Sequence, residues 1–93
     1  MVVGVLQMRL VIREAQSLKD KRRIVKSLRD RIRNDFNVSA SEIEDLDRRQ
    51  SAVLGVAIVT NDGTFAQQVL AKVVDLARRT PGAALTEYET ELL

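Results

Sequence analysis

The sequence predicts an α+β domain in which a four-stranded antiparallel sheet carries two helices on one face. Three observations predict it. Two stretches of helical periodicity are each bracketed by segments of strand character, the resulting order is β-α-β-β-α-β, and 93 residues leave room for one core only, so a single domain over 1–93 is expected. Two right-handed β-α-β crossovers joined in that order interleave the strands as 4-1-3-2.

The elements follow in chain order. From Val2 to Ile12, Leu6, Met8, Leu10 and Ile12 alternate with Val5, Gln7, Arg9, Val11 and Arg13, which is the period of a strand with one buried face. Ser17 followed three residues later by Asp20 is the spacing of a helix N-cap whose acidic partner reaches back. Leu18, Val25, Leu28, Ile32 and Phe36, with Ile24 beside them, then recur at helical spacing as one apolar stripe. Phe36 to Ala40 resumes alternation as a short strand, and the polar segment Ser41 to Gln50 reads as a hairpin tip or loop. Ser51 to Thr60 (SAVLGVAIVT) is a near-continuous apolar run of strand length that fits a central strand. Asn61-Asp62-Gly63 is turn chemistry, and Thr64 with Gln67 makes a second capping box. Phe65, Val69, Val73 and Leu76, flanked by Leu70, Val74 and Ala77, form a second buried stripe, which Thr80-Pro81-Gly82 ends. Ala84 to Leu92 alternates again as a last strand, with Tyr88 on its apolar side and expected in the core. The arrangement is ferredoxin-like. The two halves share a plan but no residue-level repeat.

Composition excludes much chemistry. The chain is 45% hydrophobic and 30% charged, a globular mixture rather than a disordered one. It holds no cysteine and no histidine, so disulfides, Cys/His zinc sites, thiol nucleophiles and imidazole acid–base catalysis are absent by counting. No apolar run approaches the roughly 20 residues of a membrane span, nor is there a basic region followed by an uncharged core and a cleavage site, so a cytoplasmic location is expected.

Fifteen basic and thirteen acidic residues give a net charge of only +2, but the charge is segregated. Between Ser17 and Arg33 eight cations stand against Asp20 and Asp30, a net of +6, which leaves −4 for the remainder. At about 100° per residue, Lys19, Arg22, Arg23, Lys26, Arg29 and Arg33 fall on one flank of the first helix, roughly 130° from the centre of its apolar stripe. Like charges at these spacings cost an isolated helix a few tenths of a kcal/mol per pair. Such a ridge is either an ordinary solvated face or a surface that follows a row of backbone phosphates without reading sequence. Aromatic interleaving is missing: the open sheet face would offer Gln7, Arg9, Val11, Val53, Gly55 and Ala57, which is no platform for stacked bases.

On that open face Arg9 and Arg13 are expected to lie opposite or diagonal to Glu87, Glu89 and Glu91 as cross-strand pairs. Val5 and Val11, with Val53 or Val59, leave an apolar strip among the charges, which fits a homodimer or a partner protein. The acids Glu42, Glu44, Asp45 and Asp47 lack the spacing and glycine of a calcium loop, and Asn61-Asp62-Gly63-Thr64 lacks the pattern of a phosphate loop. No metal site, cofactor or catalytic residue is assigned.

The words SLKDKRRIVKSLRDRIRNDFNVSASEIEDLD and QSAVLGVAIVTND resemble the YlxP-like family of small bacterial proteins of unknown function. Ser17, Leu18, Lys19, Lys21 and Arg22, with Arg23 directly after them, match its Ser-Leu-Lys-x-Lys-Arg signature. Phe36 to Ser39 match its Phe-Asn-Val-Ser segment, and Gln50, Leu54, Gly55 and Asp62 its third-strand motif. Arg49 departs from a position where many members carry tryptophan. The resemblance implies a ferredoxin-like fold. It also implies ribosome or RNA association, because members' genes often neighbour those of transcription and translation factors. The expectation is therefore a non-enzymatic RNA- or ribosome-associated protein whose Lys19, Lys21, Arg22, Arg23, Lys26, Arg29 and Arg33 contact phosphates. The alternative is a homodimeric interaction domain using Val5, Val11 and Val53.

Overall fold

A computed structural model describes all 93 residues. The elements are β1 (Val2–Val11), α1 (Leu18–Asp35), β2 (Ser39–Glu44), β3 (Ser51–Thr60), α2 (Gly63–Arg78) and β4 (Ala84–Leu92). The sheet is antiparallel throughout, with order β2-β3-β1-β4, the interleaving expected of two crossovers. Both helices lie on the face that carries the buried side chains of β1 and β3.

Alternation decides which face is which. Leu6, Met8, Leu10 and Ile12 point into the core and meet Ala52, Leu54, Val56 and Ile58 of β3. From above, α1 presses Val25, Leu28 and Ile32 onto this layer, and α2 presses Ala66, Leu70, Val73, Val74 and Ala77. Gly4 permits the close approach of α2 to β1, since a Cβ there would lie 3.2 Å from Leu70 and 3.3 Å from Ala66. Gly82, at φ +82°, turns the chain from α2 into β4 in a conformation that side chains disfavour.

Helix α1 begins as its spacing predicts: the Ser17 hydroxyl accepts from Asp20 N at 3.1 Å. The Asp20 carboxylate reaches back one residue further than a capping box requires, accepting from Gln16 N at 3.2 Å. Ser17→Ala is expected to cost about 1 kcal/mol, read as a fall in the urea midpoint with no change in its slope. Unchanged stability would mean that solvent replaces this cap without loss.

The structure corrects four local expectations. β2 is Ser39–Glu44, not Phe36–Ala40, so the acids at 42 and 44 belong to an edge strand rather than a loop; Phe36 is instead the C-cap of α1. The second helix is capped by Asp62, whose carboxylate accepts from Thr64 N and Phe65 N, because the helix starts two residues earlier than a Thr64 cap allows. Phe65 is consequently exposed. Tyr88 faces the helix layer opposite Met8, yet it is 45% exposed, because β4 is an edge strand that α2 only partly covers; Arg78 lies over its ring at 5.5 Å. A bulge between Leu85 and Glu87 lets Leu85 pair with Leu10 toward the core while Glu87 pairs with Arg9 on the open face.

Candidate functional site

The basic ridge is a property of α1, and the core orients it. Lys21, Val25, Leu28 and Ile32 recur at four, three and four residues and are all buried, which points the opposite side of the helix at solvent. Lys19, Arg22 and Lys26 are exposed and make no ion pair. Three further cations of the segment are partly engaged. Arg23 lies 4.0 Å from Asp20, Arg29 lies 3.2 Å from Asp30, and Arg33 donates to the Ala40 carbonyl from Nε at 3.1 Å and Nη2 at 2.6 Å. That last contact occupies a carbonyl of edge strand β2, so the ridge runs along the β2 side of the molecule.

Lys21 is corrected. It was expected among the phosphate contacts, but its side chain is 0% exposed and its ammonium is fully engaged. Nζ donates to Glu42 Oε2 at 2.7 Å, to the carbonyls of Asp45 at 2.8 Å and Leu46 at 3.3 Å, and to that of Ser51 at 3.3 Å. The register explains the meeting. Glu42 pairs with Leu54 and so points to the helix side of the sheet, directly beneath the first turn of α1. A bulge at Ile43 then returns Glu44 to the open face, opposite Val53. Lys21 thus ties the β2–β3 tip to α1, and no buried side-chain nitrogen or oxygen is left unpartnered.

The tip is held a second time by Asp45, a non-glycine residue at φ +62°. Its carboxylate accepts from the Ser51 hydroxyl and from Arg9 Nη1 at 3.1 Å, with Arg48 Nε 3.7 Å away. The Ser51 hydrogen bond, then Arg48 and Arg9, hold the Asp45 carboxyl below its ordinary value of 3.8 against an opposing desolvation effect. A carboxyl depressed on folding contributes stability that is complete above the ordinary value and is lost as pH falls through the lower, folded one. Ser51→Ala is expected to raise the Asp45 midpoint toward 3.8, as followed by carboxyl-carbon NMR. An unmoved midpoint would assign the shift to the arginines.

The open sheet face is less apolar than expected at one end. Val53 is corrected: it is only 3% exposed, with Arg9 opposite it in register and donating both to the Asp45 carboxylate and to Glu87 Oε1 at 3.0 Å. Arg9 therefore spans from the β2–β3 tip to β4 across this part of the sheet. Arg13, Glu89 and Glu91 form no ion pair, so of the expected cross-strand pairs only Arg9 with Glu87 exists. Val5 and Val11 are half-buried. The apolar strip instead continues to the other end of the sheet, where Val5 and Ala57 adjoin Val59, 66% exposed, and Ile43, which lies against Gly55. The sequence offers Val59 as the alternative to Val53 in this strip, and it is Val59 that stands exposed; Ile43 is missed, because the bulge that brings it to this face leaves no periodic signal.

No group of three or more acids is placed to hold a metal ion, and no helix is long and apolar enough to cross a membrane.

A family model described as a protein of unknown function, DUF503, matches residues 3–90. The chain is 32% identical over 90 residues to the uncharacterized protein YlxP of Bacillus subtilis (strain 168), covering 97% of this chain and 98% of that one. Among solved structures it is similar to a de novo designed protein with ferredoxin fold, LFR1 1. There the TM-score is 0.62 at 14% identity, over 98% of this chain and 86% of the design. A second de novo design, Foldit4, matches with a TM-score of 0.55 at 13% identity, over 100% and 97% of the two chains. These two likenesses establish the ferredoxin-like fold alone.

Proposed function

We propose, for a chain that belongs to the DUF503 family of proteins of unknown function, a non-enzymatic role in binding RNA or the ribosome through α1. One observation carries this reading: Lys19, Arg22 and Lys26 stand exposed and unpaired in a single row, in a segment of net charge +6 whose counter-charge lies elsewhere in the chain. Arg23, Arg29 and Arg33 extend the row with partly engaged guanidiniums. Lys21 takes no part in contact and instead fixes the first turn from which the row projects. Phosphates bound by such a row are read as charge and not as sequence, and the reading places the protein in the cytoplasm as one domain. The test is RNA binding by the whole chain across a salt series. Log affinity should fall linearly with log salt, by about 0.7 to 0.9 per phosphate engaged. A flat response would remove α1 phosphate contact as the mode of binding.

A second reading has its own observation. Val59 is two-thirds exposed and, with Ile43, Val5 and Ala57, forms an apolar strip on the uncovered sheet face that a second copy could cover. Sedimentation at micromolar concentration would then find a dimer that Val59→Lys converts to monomer. A monomer before substitution would end the homodimer reading.

A further inference from the structure

We infer that α1 lies in the minor groove of double-helical RNA, with its two flanks against the phosphates of opposite strands; this rests on the phosphate-binding reading above and names the form of nucleic acid it takes. The motivating residue is Arg31, which the row of cations does not include. At about 100° per residue, Arg31 and Arg22 stand roughly 90° to either side of the apolar stripe, on opposite flanks of the same helix. Arg31 is exposed, forms no ion pair, and borders a shallow groove with Arg23, Ser27, Thr80 and Pro81. A single strand lying along the row of Lys19, Arg22 and Lys26 would leave this second flank unused.

Between the flanks the crest of α1 presents Ser27, Asn34 and Arg23, all exposed and none bulky and apolar. Two acids also lie toward the crest, and both are engaged: Asp20 accepts from Gln16 N and neighbours Arg23, and Asp30 pairs with Arg29. A polar crest of hydrogen-bonding groups between two cationic flanks suits the wide, shallow minor groove of an A-form duplex, which displays 2′-hydroxyls between two phosphate rows. Single-stranded RNA, by contrast, is held chiefly by stacking its bases on aromatic rings. The chain's only aromatic residues are Phe36, Phe65 and Tyr88, none of them within α1. At 18 residues α1 is about 27 Å long, enough to cross the groove at an angle while keeping both flanks in reach of phosphates.

The test measures binding of the full chain, by fluorescence anisotropy, to an RNA duplex of about 16 base pairs and to an oligouridylate of the same length. The duplex is expected to bind about ten-fold tighter or better. Arg31→Glu should weaken duplex binding about five-fold and lower the salt slope by about one, while changing oligouridylate binding less than about two-fold. Arg31 is exposed and unpaired, so the variant should fold, which a thermal melt verifies. Oligouridylate binding as tight as the duplex, or unchanged duplex binding by the Arg31→Glu variant, would overturn the groove placement and leave the single-flank reading standing. Failure of the unaltered chain to bind either RNA at low salt would overturn both.

Discussion

Lys21→Met is expected to lower the unfolding free energy by about 3 kcal/mol, the largest stability effect of any single change at the α1 face. Methionine keeps nearly the volume of lysine, so no cavity opens and the loss isolates the ammonium. Removing it leaves the carbonyls of Asp45, Leu46 and Ser51 without their donor and the Glu42 carboxylate without its counter-charge. Breaking one side of a buried pair costs about 3–5 kcal/mol, and the lower end applies because the Glu42 side chain keeps 16% of its exposure and can hydrate. The thermal midpoint of a domain this size should fall by about 10 °C or more. Adding Glu42→Leu should recover part of the loss, since replacing both partners by apolar groups is cheaper than orphaning one. A loss below about 1 kcal/mol would show that water reaches the ammonium site and that the tie is not structural.

The second large effect concerns affinity, not stability. Arg22→Glu with Lys26→Glu is expected to reduce RNA affinity by about 100-fold at low salt and to lower the salt slope by about two or more, because two attractions become two repulsions. Stability should hold or rise slightly: both side chains are exposed and unpaired, and carboxylates at 22 and 26 gain the cations Lys19 and Arg29 three residues away, each such pair favouring the helix by a few tenths of a kcal/mol. The two variants are thus opposites. Lys21→Met should melt early yet bind RNA while folded, and Arg22→Glu with Lys26→Glu should melt normally and fail to bind. One signature, Ser-Leu-Lys-x-Lys-Arg, therefore contains two kinds of residue: Ser17 caps the helix and Lys21 ties it down, whereas Lys19 and Arg22 face outward.

The fold was legible wherever periodicity was unbroken. Strand β1 alternates cleanly, β3 is a near-continuous apolar run of strand length, α1 and α2 carry continuous stripes, and the order of elements gives the observed interleaving. Legibility failed at the bulges. An extra residue at Ile43 or Thr86 reverses the faces beyond it, and nothing in composition marks where that happens. It failed again at edge strands, where polar residues such as Glu42 and Glu44 are tolerated and read as loop. Lys21 was a partial case. Its spacing to Val25, Leu28 and Ile32 is that of a stripe residue, so its direction was readable; the acidic partner that makes its burial tolerable sits in the segment taken for a loop. The ridge itself was legible, since outward direction is simply what the stripe leaves over, but the pairing of Arg33 with the Ala40 carbonyl depended on where β2 lies.

The exposed, uncompensated cations of α1 are the centre of the functional account, and the most direct measurement is the salt dependence of RNA binding by the unaltered chain beside the Arg22→Glu, Lys26→Glu variant. The account predicts a steep negative slope for the former and, for the variant, a slope shallower by about two with much weaker binding at every salt concentration. Superimposable curves for the two proteins would contradict it, and α1 would then be a solvated face whose charge serves only solubility.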